Sequence, residues 1–205
     1  MSDVAIETEK PLVIGRLKVG SIGHHANGWW GMIMLIITEA FLFFYLLFSY
    51  YYFAIQSDGT FLPDEMPSFK FSGPETGVLL LASLAVWFGE RGGRKGSRLQ
   101  LVLGLLLALA LGCGFVAIEL FEWMDKTFTL ASNAYGSSFF TVTGFHLAHV
   151  VAGLLMLLPL TFWSALGYFD RERIVPVTIV MMYWFFIDVI WLMVFFTFYV
   201  TPYFR

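Results

Sequence analysis

The chain has 205 residues, of which 59% are hydrophobic, 19% aromatic and only 13% charged, with a formal net charge of −3. A soluble domain carries about 25% charged residues, and a soluble fold could not cover this much apolar surface, so a globular protein of the cytosol is excluded. The single cysteine, Cys113, excludes within this chain a disulfide framework, a CxxCH haem attachment and a two-cysteine copper site, and the lack of a basic block argues against a nucleic-acid partner.

Residues 1–29 form a polar N-terminal segment with no apolar h-region and no small-residue cleavage site, so no secretory signal peptide is expected. The first helix then acts as the membrane-entry signal. Residues 30–205 read as an all-α polytopic membrane domain of five helices, over 30–53, 73–89, 97–123, 137–166 and 176–200. Each run approaches the ~20 residues that a bilayer core requires. The second opens on Ser72-Gly73-Pro74-Glu75, the spacing of a capping box with proline in the first turn. The fourth contains Pro159, which predicts a kink, and the fifth opens at Pro176 and stops before Pro202. In the third helix Gly104, Ala108 and Gly112 recur every four residues, and in the fourth Gly144, Ala148 and Ala152 do so. That spacing lets helix backbones approach closely, within the chain or in a homodimer.

Nine Lys and Arg residues fall on one side of these spans: Lys10, Arg16, Lys18, Arg91, Arg94, Lys95, Arg98, Arg171 and Arg173. Three fall on the other: Lys70, Lys126 and Arg205. The positive-inside rule places the N-terminus in the cytoplasm and the C-terminus outside.

Ionisable groups at membrane depth cost at least ~2.5–3.5 kcal/mol each, which makes them the candidate site residues. Glu39 lies nine residues past Trp30, about 13 Å into the bilayer at the α-helical rise. His149 and Asp188 lie near the middle of their spans, and His146 sits one turn from His149. Glu119 and Glu122 share a turn near the outer end of the third helix. With no Lys or Arg expected at these depths, the carboxylates are read as protonated or hydrogen-bonded, with His149 and Asp188 as candidate partners of Glu39. Either a proton-linked or lipid-anchoring site or a polar network that fixes packing accounts for them. Trp29, Trp30, Trp123 and Trp163 read as interfacial anchors, while Trp184, Asp188 and Trp191 share one face of the aromatic fifth helix.

These ligands do not suit a redox group. Haem in a bundle takes axial histidines from facing helices, whereas His146 and His149 stand at i and i+3 of one helix and His24 and His25 lie in the polar segment. A di-iron carboxylate site takes Glu-x-x-His pairs, and none occurs. No cofactor and no metal are therefore expected in this chain.

Residue strings carry the reading further. Trp30-Gly31-Met32 and Thr38-Glu39-Ala40-Phe41-Leu42-Phe43-Phe44, then Glu122-Trp123, form the first two. Tyr135-Gly136-Ser137-Ser138-Phe139-Phe140 with Thr143-Gly144-Phe145-His146 and His149-Val150, and finally Tyr183-Trp184 with Asp188-Val189-Ile190-Trp191, complete the set. In this order they resemble subunit III of haem–copper terminal oxidases, in its five-helix bacterial form. The chain departs from that pattern at Phe185, where the family often has histidine, at Glu119, where many members have glutamine, and at Leu147, where glycine is common. The resemblance implies a non-catalytic subunit of a respiratory oxidase in the bacterial cytoplasmic membrane. It would pack beside the catalytic subunit I, with subunit II in the same complex, while haem and copper stay in the catalytic subunit. It also implies bound phospholipid and a role in proton uptake and durability during turnover. Trp184 and Trp191 join Trp29, Trp30 and Trp123 as expected interfacial or cleft aromatics. A quinol oxidase subunit, a nitric oxide reductase accessory protein and a stand-alone proton-linked transporter are the alternatives.

Overall fold

An apolar run in lipid must satisfy its backbone internally, and a helix does so within one segment. The computed structural model, which describes residues 27–57, 61, 67–169, 171 and 173–204, accordingly contains five long helices and no strand among those residues. Lys10, Arg16, Lys18, His24, His25 and Arg205 lie outside the described residues. The helices are α1 (Asn27–Gln56), α2 (Phe69–Arg94), α3 (Arg98–Asp125), α4 (Ala134–Ala165) and α5 (Val175–Phe195). A π turn, Phe196–Val200, and a 3-10 turn, Thr201–Phe204, extend α5. All five are long and apolar enough to cross a membrane.

The helix starts show where local chemistry acts. Ser68 is extended, and its hydroxyl accepts from Lys70 N at 3.2 Å, so α2 begins a turn earlier than the Ser72–Glu75 spacing suggests. Ser72 and Glu75 are therefore not a capping box: both are fully buried inside the helix, and Pro74 sits in its second turn. Asn133 caps α4 through Gly136 N at 2.7 Å, and Pro176 occupies the first turn of α5. The α2–α3 connection turns on Gly96 at φ +80°, a conformation that glycine adopts without strain, and Ser97 caps α3.

Consecutive helices run antiparallel. The closest pair is α2 with α3, where a Cβ built on Gly104 would lie 2.5 Å from Gly89 Cα. α5 contacts α1, α2 and α4, while α1 touches only α4 and α5 among the major pairings. Just 6% of the most apolar window of α1 is buried, against 33–39% for the other four spans. Its buried residues are Phe43, Tyr50 and Ala54.

The glycines report intramolecular packing. Gly104 faces Gly89, and Gly112 faces Leu154 and Trp184. In α4 the glycine packed tightly against another long helix is Gly153, against Trp184 and Ile187, whereas Ala148 is exposed. Trp184 and Trp191 are 0% and 1% exposed, so they are core residues and not cleft or interfacial aromatics. The reason is geometric: the indole of Trp184 needs the space left by two glycines on facing helices. Tyr50, Phe61, Phe128, Tyr135, Phe139 and Phe198 form an edge-to-face cluster at the end where α3 finishes and α4 begins.

Candidate functional site

The structure distributes the intramembrane polar groups among four places. The first joins α1 to α4. Glu39 Oε2 lies 3.1 Å from His149 Nε2, and His149 Nδ1 lies 2.6 Å from the carbonyl of Phe145. A carbonyl only accepts, so Nδ1 carries a hydrogen. Nε2 then either accepts from a neutral Glu39 or, as an imidazolium, donates to its carboxylate. Both arrangements place one proton on the Glu39–His149 contact and leave the pair with no net charge. The Tyr183 hydroxyl donates to the backbone oxygen of His149 at 3.3 Å, which braces that turn from α5. The pair is half-buried, with side-chain exposures of 31% for Glu39 and 15% for His149.

His146, one turn away, does not join that contact. It is fully buried beside Trp191 and Phe115, with ring centroids at 5.0 and 5.7 Å. Neither of its nitrogens has a hydrogen-bond partner among the described residues. Asp188 does not reach Glu39 either. It turns to α2, where the Ser83 hydroxyl donates to its Oδ2. Beside it, Trp191 Nε1 donates to Thr76 Oγ1 at 2.9 Å, a second tie from α5 to α2.

The third place holds three carboxylates from two helices. One oxygen each of Glu75, Glu119 and Glu122 lies within 4.8 Å of the others, and all three residues are at most 1% exposed. Trp123 Nε1 donates to Glu119 Oε1 at 2.9 Å and lies 3.1 Å from Thr143 Oγ1. Trp123 is thus half-buried and hydrogen-bonded into the bundle. The Tyr199 hydroxyl and Lys126 Nζ each donate to Glu122 Oε1 at 2.7 Å. The expectation of no cation at this depth fails here, because Lys126 folds its stem back along α3. Its ammonium lies over the rings of Phe139 and Tyr199, at 4.9 and 5.5 Å from their centroids. These three acids are the only residues among those described that group as possible metal ligands.

The fourth place is at the opposite end, where Glu90 pairs with Arg94 and accepts from Thr178 at 2.9 Å. Arg98 caps the Ala165 carbonyl, and Arg171 donates to the Lys95 carbonyl at 2.8 Å. Six described basic residues thus gather at that end, against Lys70 and Lys126 at the acid-cluster end.

Sequence reasoning missed Glu75, Lys126, Tyr199 and Ser83. A signal for Glu75 was present in the helix register. With Gly89 opposite Gly104 in an antiparallel hairpin, Glu75, 14 residues back, falls level with Ile118, 14 residues on. That position adjoins Glu119.

A surface groove of about 580 Å³ separates α1 from α5, lined by Phe44, Leu47, Phe48, Tyr51, Val189, Leu192, Met193, Phe196 and Thr197. Its walls are almost wholly apolar. Phe41, Phe44, Tyr45 and Phe48 on α1 are 56–70% exposed.

Comparison with known proteins follows the same line as the motifs. The family model described as cytochrome c oxidase subunit III matches residues 22–203. The chain is 31% identical over 174 residues to cytochrome c oxidase subunit 3 of Artemia franciscana, covering 83% of this chain and 67% of the relative. It is 30% identical over 177 residues to the subunit 3 of Scyliorhinus canicula and 30% over 178 residues to that of Anopheles gambiae, each at 83% of this chain and 68% of the relative.

Proposed function

From the premise that this chain belongs to the cytochrome c oxidase subunit III family, a non-catalytic subunit of a respiratory oxidase, we propose that it flanks the catalytic subunit, holds lipid there and supports proton uptake. Membership is consistent with a chain that carries no redox cofactor, and it implies a complex with other subunits. A stand-alone transporter does not fit that premise. The proposed neighbour is the haem–copper subunit I, with subunit II in the same assembly.

The observation that carries this reading is the Glu39–His149 pair on the least covered helix. The two side chains meet at 3.1 Å while staying partly open to their surroundings. Moving a proton between Glu39 and His149 leaves the net charge of the pair unchanged, which keeps the cost of residing in the membrane low. Beside it, the groove between α1 and α5 has the apolar lining that acyl chains require. The gathering of Arg91, Arg94, Lys95, Arg98, Arg171 and Arg173 at one end supports a cytoplasmic position for that end. The same distribution suits a bacterial cytoplasmic membrane, the location proposed here.

The test compares oxygen consumption by the oxidase with and without this subunit, from mildly acidic to alkaline pH, over many turnovers. The depleted enzyme is expected to start normally, because no redox centre is removed. It is then expected to slow more steeply as pH rises and to lose activity sooner. Identical pH profiles and lifetimes would leave the subunit an assembly factor only.

A further inference from the structure

We propose that Glu75, Glu119 and Glu122 form a binding site for one hard divalent cation of the size of Ca²⁺, which ties α2 to α3. Glu75 is the observation that points to a ligand. It is 0% exposed, arrives from a different helix than the other two acids, and has no hydrogen bond to either oxygen among the described residues. Glu119 Oε2 and Glu122 Oε2 are likewise buried without a partner. Four buried carboxylate oxygens therefore stand without a donor among the described residues.

The surroundings fit a cation. Trp123, Tyr199 and Lys126 bond the Oε1 atoms of Glu119 and Glu122 and leave each Oε2 free. This is how outer groups orient carboxylate ligands around a metal. With all three carboxylates ionised, as metal ligation requires, and one ammonium beside them, two negative charges remain for a divalent ion to balance. An all-oxygen donor set selects Ca²⁺, Mg²⁺ or Mn²⁺. Ca²⁺ binds oxygen at about 2.3–2.6 Å, so oxygens on opposite sides stand roughly 5 Å apart. The mutual limit of 4.8 Å matches that spacing. Mg²⁺ demands near-ideal octahedral geometry at about 2.0–2.1 Å and keeps several waters, for which this enclosed trio is poorly suited. Trp123 and Lys126, which bond two of the acids, also line a surface cavity of about 480 Å³.

The test uses the full chain in lipid nanodiscs, stripped with a chelator and titrated with Mn²⁺ alone by electron paramagnetic resonance, then with Ca²⁺ as competitor. Wild type and Asp125→Asn, which alters an exposed acid at the same end, are expected to bind one Mn²⁺ per chain that Ca²⁺ displaces. Removing even an orienting group costs about 10–100-fold in metal affinity, so Glu75→Gln is expected to weaken binding by at least about 100-fold. Should Glu75→Gln fail to fold, Glu119→Gln carries the same expectation. Equal binding by wild type and a folded cluster variant overturns the proposal, as does loss of binding in Asp125→Asn. A protonated-carboxyl infrared band in metal-loaded wild type that vanishes in Glu75→Gln also overturns it, because protons would then fill the site.

Discussion

Replacing Glu39 tests whether its contact with His149 is a one-proton hydrogen bond. With Nδ1–H committed to the Phe145 carbonyl, the neutral ring presents Nε2 as an acceptor. The amide nitrogen of Glu39→Gln can donate to Nε2 at the same place, so this variant should keep the link. Glu39→Leu removes it and leaves Nε2 unpaired. A buried unpaired acceptor costs about 1–3 kcal/mol. The pair here is 15% and 31% exposed, which admits partial replacement by water and puts the expected loss near 1 kcal/mol. Reversible unfolding of the full chain in mixed micelles, followed by tryptophan fluorescence, reads the difference. The Gln variant should unfold with wild type and the Leu variant earlier, by a factor of about five in the equilibrium constant. Equal destabilisation of the two variants would refute the hydrogen-bond argument. It would show that the shape or charge of Glu39, and not its link to Nε2, holds α1 to α4.

The remaining predictions address packing and orientation. Gly104→Ala puts a methyl group 2.5 Å from Gly89 Cα on a rigid backbone, so α2 and α3 must separate; a loss of about 1–3 kcal/mol in the same unfolding assay is expected. Trp184→Ala empties the space between Gly112 and Gly153 and should cost about 3–5 kcal/mol, measured as a lowered thermal midpoint. A reporter active only in the cytoplasm, fused after Arg205, should stay silent in intact cells; activity there would reverse the proposed orientation.

The Glu75 case shows why some of the site escaped a linear reading. Ser72 and Glu75 have a capping-box spacing, and that local rule is indifferent to what lies across the helix interface. Ser68, with its extended backbone, takes the cap instead, and the helix carries Glu75 inward. The Gly89–Gly104 approach then sets the register that brings it to Glu119. Lys126 escapes a linear reading for a similar reason, since its position in the chain lies beyond the apolar run while its flexible stem reaches back to Glu122.

What the amino-acid order determined by itself is the set of five helices and their alternation across the membrane. An apolar run long enough to span lipid has no other way to satisfy its backbone, so composition and length suffice. The family signal was equally legible, because its motifs are short strings within single helices. The tertiary structure alone decided which polar groups meet. Glu39 chose His149 over Asp188, Asp188 turned to Ser83, and Trp184 and Trp191 went to the core. A helix is apolar on nearly all sides in such a chain, so its sequence carries little record of which face turns inward. That choice belongs to close packing, where a pair of glycines or one indole ring sets the rotation and depth of a whole helix.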